Sequence, residues 1–242
     1  HAQRASFFES RSQRLDPLQL PCDLRERAVR LLRELGEAAL AAGKHVLLEK
    51  PIALTLEDAD AIVTAAERSG RLFMVGLVLR FWPEYVELQR CLAAGELGRP
   101  LAVSASRLSP PADWNDWMAD PAKSGGVPVD LLIHDFDQMN WLLGTPRRVF
   151  ACAPHPDHVL AVVEYDDACG IAEGSMAMPR AYPFSSSVRV LAEGGVAEYA
   201  FSAAPAEGGG NVGASDAPRG LRLYLRSGGE PVSVPVEPAD PW

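Results

Sequence analysis

The chain has 242 residues, 48% of them hydrophobic, a formal charge of −9 and a pI near 5.1; it can bury one large core or two modest ones. It lacks the basic surface that general binding to nucleic acid or to an anionic membrane demands, so small molecules are the expected partners. Cys22, Cys91, Cys152 and Cys169 lie far apart with no C-x-x-C pair, which points to neither a disulfide framework nor a zinc knuckle and suits a reducing cytoplasm.

Residues 1–34 hold seven arginines against five acidic residues and no lysine, whereas the remainder carries 16 basic against 27 acidic side chains. The opening HAQRASFFESRSQR has neither a helical period nor the apolar segment of a signal peptide. It reads as a loop or a solvated basic arm. Asp23 then precedes apolar positions at helical spacing through Leu35. HVLLE (45–49) is a short apolar run expected to form a parallel strand buried on both faces. Thr55 is placed to cap a helix whose stripe is Leu56, Ala59, Ile62, Val63 and Ala66, ended by Gly70. LFMVG (72–76) supplies a second strand, and strand, helix, strand makes a right-handed βαβ unit.

The second half has another rhythm. A helix over 82–98 and a strand over 100–109 lead to a helix near 126–142, and then to seven alternating segments, from RRVFACA to EPVSVPV. Their period of two and their Gly/Asp/Pro turns predict a mostly antiparallel sheet, with AAPAEGGGNVGASDAPRG (203–220) as a loop. The expected fold class is therefore α/β plus α+β. A partial Rossmann-like region occupies 1–80, of which 1–34 are unassigned, and an open-sheet domain occupies 81–242.

Two stretches carry chemistry. Glu49-Lys50-Pro51 ends the first strand, where open α/β sheets bind ligands, and a proline after Lys50 keeps the lysine out of a helix. A strand-end lysine that is simply solvated is the plainer alternative. In SGGVPVDLLIHDFDQMNWLLG (124–144), Asp130 and His134 are four apart, so on a continuous helix they share a face. The carboxylate would then orient the imidazole and favour its protonated form. A structural hydrogen bond is the commoner use of such a pair, and Asp137 is either a further partner or solvent-facing. Leu131, Met139 and Leu142 read as core. His155, Asp157 and His158 in H-P-D-H suggest a metal set only weakly, because they precede a strand where alternate side chains point apart.

In order and spacing, G-K-H-V-L-L-E-K-P, V-G-L-V-L-R-F-W-P and S-G-G-V-P-V-D-L-L-I-H-D-F-D resemble the Gfo/Idh/MocA family, the glucose-fructose oxidoreductase and inositol dehydrogenase-like enzymes, across about residues 36–201. The resemblance implies a Rossmann domain joined to an open-sheet domain. It also implies NAD- or NADP-dependent hydride transfer on a sugar, polyol or related hydroxyl or carbonyl substrate. His134 would act as general base, Asp130 would hold its tautomer, and Lys50 would donate to the reacting oxygen. Glu49, Lys50, Pro51 and Arg80 would line the cofactor side, although a surface ion pair explains Arg80 equally well. Trp114 and Trp117 would either wall the pocket or cover a core edge. Lys50 and His134 are expected to face one cleft, the Lys50–Pro51 bond to be cis, and copies of the chain to associate through the open sheet. No G-x-G-x-x-G precedes Lys50, and the G-G-G at 208–210 falls in a late loop. Backbone groups of such a turn cradle the pyrophosphate, so weak dinucleotide binding is expected of this polypeptide. A catalytically impaired remnant serving as a binding or oligomerisation module is the alternative reading.

Overall fold

The structure is a computed structural model that describes residues 28–111, 118, 120–203 and 220–236. The basic arm, Trp114, Trp117 and most of the Gly/Ala/Pro-rich loop lie outside the described residues.

The first half is a small parallel unit. Helix α1 (Ala28–Ala41) leads to strand β1 (Val46–Leu48), helix α2 (Leu56–Ser69) and strand β2 (Phe73–Val75). β1 and β2 pair in parallel, with Val46, Leu47 and Leu48 opposite Phe73, Met74 and Val75. Thr55 Oγ1 accepts from the Asp58 N–H at 3.1 Å, and Gly70 closes α2 in the left-handed region at φ 60°, as the Thr and Gly signals predict. α1 runs on through Gly36 to Ala41, beyond the limit its periodicity suggests. Arg33 ties the two helices by donating to Glu37 and Asp58.

Burial within this unit departs from expectation. β1 is not covered on both faces: Leu48 is buried, but Leu47 is 68% exposed. A continuous apolar run identifies a strand, yet burial of each face depends on what packs there. Among the described residues this sheet has two strands. The α2 stripe is likewise narrower than predicted, with Ile62 fully buried and Leu56 and Val63 exposed.

A 3₁₀ turn (Val78–Phe81) leads into helix α3 (Pro83–Ala93), which has proline in its first turn, where the missing N–H does no harm. Strand β3 (Pro100–Leu108) precedes a short helix α4 (Pro121–Ser124), a π-helical turn (Val127–Leu131) and helix α5 (Ile133–Leu143). Strands β4 (Arg148–His155), β5 (His158–Glu164), β6 (Cys169–Ser175), β7 (Phe184–Ala192), β8 (Gly195–Ala203), β9 (Leu221–Leu225) and β10 (Val232–Val234) follow. The second sheet has the order β10-β9-β8-β7-β3-β6-β5-β4 and is antiparallel except between β3 and β6.

Cross-strand register divides this sheet into two unlike faces. The row Val149, Val163, Gly170, Val103, Val190, Ala197 and Leu223 faces the helices. The adjacent row is Phe150, Val162, Ile171, Ser104, Arg189, Glu198 and Arg222, on the face where no helix packs among the described residues. Two glycines let the helical layer approach closely. A Cβ on Gly174 would fall 2.5 Å from Leu132 Cγ, and one on Gly170 would fall 2.7 Å from Met139 Sδ. The segment carrying Asp130 and His134 is thereby pressed onto β6.

Candidate active site

Lys50 stands at the carboxyl end of β1, and the Lys50–Pro51 peptide bond is cis. Its Nζ donates to the Asp130 backbone carbonyl at 2.7 Å and to Asp130 Oδ1 at 2.8 Å. The carboxylate is only 4% exposed, while the lysine side chain is 23% exposed. A residue 80 positions earlier is thus brought onto the turn that leads into α5.

The sequence treats 126–142 as one helix, whereas the chain takes a π turn at Val127–Leu131 before α5 begins. Leu132 N–H donates to Val127 O, five residues back, at 2.9 Å. Asp130 therefore lies in the π turn and His134 in α5, rather than both on one continuous α-helix. Glycines set the approach to this turn. Gly125 has φ 81°, where a side chain is strained, and a Cβ there would lie 2.5 Å from Val129 Cβ.

The predicted Asp130–His134 couple is therefore corrected. Asp130 gives its carboxylate to Lys50, and the buried Nδ1 of His134 has no hydrogen-bond partner among the described residues. The expected electrostatics are reversed as well. Burial, the positive charge of Arg107 and that of Lys50 push the His134 pKa down to about 3, so the imidazole is neutral at physiological pH. Lys50 and His134 are nevertheless near enough to interact electrostatically.

Arg80, in the turn after β2, donates from Nε to Asp137 Oδ2 at 2.8 Å and from Nη2 to Asp137 Oδ1 at 2.7 Å. Its guanidinium also lies 5.5 Å from the Trp141 ring centre. The Asp137 hydrogen bonds hold its pKa up. Of the two readings of Arg80, the geometry displays the ion pair. Glu49 is exposed and Pro51 buried at the same strand end.

Sequence reasoning missed a second ion pair. Arg107 Nε and Nη2 donate to Asp135 Oδ2 and Oδ1 at 2.7 and 2.9 Å, with side chains 6% and 2% exposed. Burial disfavours the Arg107 charge, but the charge and hydrogen bonds of Asp135 outweigh that and raise its pKa. Tyr85 sits beside this pair, and burial pushes its hydroxyl pKa up to about 12. The overlooked signal lies in β3: Val103, Ala105 and Arg107 share the inward face, and an arginine in that series requires a buried partner. His155 and Asp157, by contrast, form a hairpin turn, in which the Asp157 N–H donates to His155 Nδ1 at 3.1 Å. Among the described residues no group of three His, Cys, Asp or Glu side chains is arranged to hold a metal.

Residues 85–198 match the GFO/IDH/MocA C-terminal domain, and residues 30–77 match the oxidoreductase family with an NAD-binding Rossmann fold. The chain belongs to the Gfo/Idh/MocA family. A myo-inositol dehydrogenase from Streptomyces leeuwenhoekii is 33% identical to this family member over 201 residues, covering 77% of the chain and 58% of the relative. A 1,5-anhydro-D-fructose reductase from Ensifer adhaerens is 37% identical over 47% of the chain and 34% of its own length. The chain thus spans about one-third to three-fifths of these two Gfo/Idh/MocA relatives. Among solved structures, the aldose-aldose oxidoreductase from Caulobacter crescentus complexed with glycerol superposes with a TM-score of 0.69 at 22% identity, over 90% of this chain and 68% of that one. The inositol dehydrogenase homologue from Azotobacter vinelandii complexed with NAD+ gives 0.67 at 20% identity, over 84% and 54% of the respective chains. These two likenesses establish the shared fold. No helix among the described residues is long and apolar enough to cross a membrane.

Proposed function

We propose that this polypeptide carries the proton-handling half of an NAD(P)-dependent dehydrogenase acting on a sugar or polyol hydroxyl in a cytoplasmic setting. The observation that carries the proposal is the Lys50 ammonium, fixed on Asp130, beside a buried and neutral His134. A bound nicotinamide would supply the hydride acceptor. Lys50 donates to the substrate oxygen from the rim of β1 and lowers the hydroxyl's pKa. His134, kept unprotonated by burial and by the positive charges of Arg107 and Lys50, is the group that receives the hydroxyl proton in this reading, a step that those same charges make harder. Asp130 positions the ammonium and leaves the imidazole free, which differs from the role implied by the resemblance. The sugar and inositol enzymes among the relatives support this substrate class.

The described residues fit the reacting end of such a cofactor site better than its phosphate end. Glu49, Lys50 and Pro51 form the rim where the nicotinamide side would rest, but no glycine-rich turn precedes them. Tryptophan-to-NADH fluorescence transfer is accordingly expected to give a dissociation constant well above the low-micromolar range; a low-micromolar value would overturn that expectation. At millimolar NAD+ or NADP+, the function predicts reduced cofactor in the presence of at least one sugar or polyol. No turnover across a panel of them would refute it.

The sheet face that no described helix covers supports self-association. Phe150, Leu160, Val162 and Ile171 are exposed on one half of that face, and Arg189, Glu198 and Arg222 occupy the other half. Exposed apolar surface of this kind marks an interface. A dimer or larger oligomer is expected by light scattering at micromolar concentration, and Ile171→Glu should shift it toward monomer. A monodisperse wild-type monomer would refute the association.

A further inference from the structure

We infer that the seam between the start of α3 and the first half of α5 is a binding site for internal water, held by Gln138 and by Nδ1 of His134, and that Gln138 is thereby a positioning residue that keeps the proton of the neutral imidazole on Nδ1. The inference rests on the reading of His134 as the proton acceptor, because Nε2 can take a hydroxyl proton only when the ring's own proton is on Nδ1. Among the described residues, the buried side-chain nitrogen and oxygen atoms without a hydrogen-bond partner are Trp82 Nε1, the Tyr85 hydroxyl, His134 Nδ1 and both amide atoms of Gln138. They are not scattered. Trp82 and Tyr85 stand at the entry and in the first turn of α3, and His134 and Gln138 are one turn apart in α5.

Two sets of contacts bring these elements together. Arg80, two residues before Trp82, is bonded to both carboxylate oxygens of Asp137, the residue before Gln138. Trp82 rests edge-on against Phe201 of β8, with ring centres 5.8 Å apart. Phe201 shares a cross-strand row with Ser186 and Arg107, and Arg107 is clamped by Asp135, the residue after His134. Residues 134 and 138 lie within one continuous α-helix, so they share a face with Cβ atoms about 6 Å apart. Helical side chains lean toward the N-terminus, which carries the Gln138 amide back over the turn of His134. Gln138 is 2% exposed, and a buried amide requires both a donor and an acceptor. The neighbouring carboxylates are engaged elsewhere: Asp130 by Lys50, Asp135 by Arg107 and Asp137 by Arg80. Water supplies what the side chains lack, since one molecule both accepts and donates and makes about three hydrogen bonds in a protein interior. Accepting from Nδ1–H and donating to Gln138 Oε1, it fixes the tautomer. His134 as a whole is partly exposed, and its Nε2 is not among the buried unpartnered atoms. The nitrogen left bare is the one on the accessible edge.

The test is NMR on the full 242-residue chain, labelled with 15N, at neutral pH and without cofactor or substrate. Cross-peaks from water to the Gln138 side-chain amide protons should have opposite signs in NOE and ROE spectra, the mark of a water that tumbles with the protein rather than of proton exchange. The His134 ring nitrogens, assigned with His134→Asn, should show 15N shifts of a protonated Nδ1 and a bare Nε2. Absence of the water cross-peaks, or a ring that carries its proton on Nε2, would overturn the inference without any further variant. In Gln138→Met, which keeps the length of the side chain and removes both polar ends, the ratio of the Nδ1–H to the Nε2–H form should fall by about tenfold, the equilibrium worth of one hydrogen bond. Gln138→Glu retains an acceptor and should keep the proton on Nδ1. An unchanged ratio in folded Gln138→Met would reduce Gln138 to packing. None of these measurements needs turnover. If the dehydrogenase assay fails while the water and the tautomer are found, the functional reading falls and the water site stands; turnover with the opposite tautomer would spare that reading and sink the inference.

Discussion

Asp135→Ala is expected to destabilise the protein by about 3–5 kcal/mol, measured as unfolding free energy in urea. The carboxylate is the one that both Arg107 hydrogen bonds reach, and it is 2% exposed. Removing it leaves a guanidinium in a layer built from Val103, Ala105, Val127 and Leu131, where water cannot replace the lost partner. The loss should exceed that from replacing both residues by apolar side chains. Arg107→Met/Asp135→Leu removes the desolvation burden together with the attraction. A single variant within 1 kcal/mol of wild type would mean that water reaches Arg107 and that the pair contributes little.

The parts of this protein that were legible in its sequence are those governed by local rules. Thr55 and Gly70 bound α2 because a cap needs a side-chain acceptor at one end and a residue tolerant of positive φ at the other. The period of two in segments such as HVLAVVE fixes alternating burial in β5, with Val159, Ala161 and Val163 inward. The proline after Lys50 kept the lysine at the strand end, where it meets Asp130.

What was not legible depends on contacts distant in sequence. The π turn at Val127–Leu131 has no periodic signature; it accompanies close packing of Leu132 and Val127 against Gly174, more than 40 residues downstream. Asp130 lies in that turn and accepts from Lys50, 80 residues upstream, a partner that the Asp-x-x-x-His spacing does not reveal. Arg107 and Asp135 are 28 residues apart and meet only once α5 lies on β3. Exposure of Leu47 was hidden for a related reason: an apolar pattern identifies a strand without specifying how many layers cover it.

Lys50→Ala is expected to abolish turnover on any sugar or polyol that the wild-type protein oxidises, with a loss of at least about 10²-fold, the usual scale for removing one donor to a developing oxyanion. It should also lower stability by about 1–3 kcal/mol, because a hydrogen bond to a buried carboxylate is lost and Asp130 stays behind. The stability loss should fall short of that for Asp135→Ala, since Lys50 is partly exposed and water can enter the space it vacates. Lys50→Arg preserves the charge but replaces a compact ammonium with a planar fork, which cannot satisfy both the Asp130 carbonyl and its Oδ1 in the same way; it should restore most of the stability and little of the activity. That split between folding and turnover separates a lysine that reaches the substrate from one that only braces the turn. Equal recovery of both in Lys50→Arg, or turnover within tenfold of wild type in Lys50→Ala, would assign Lys50 to bracing alone.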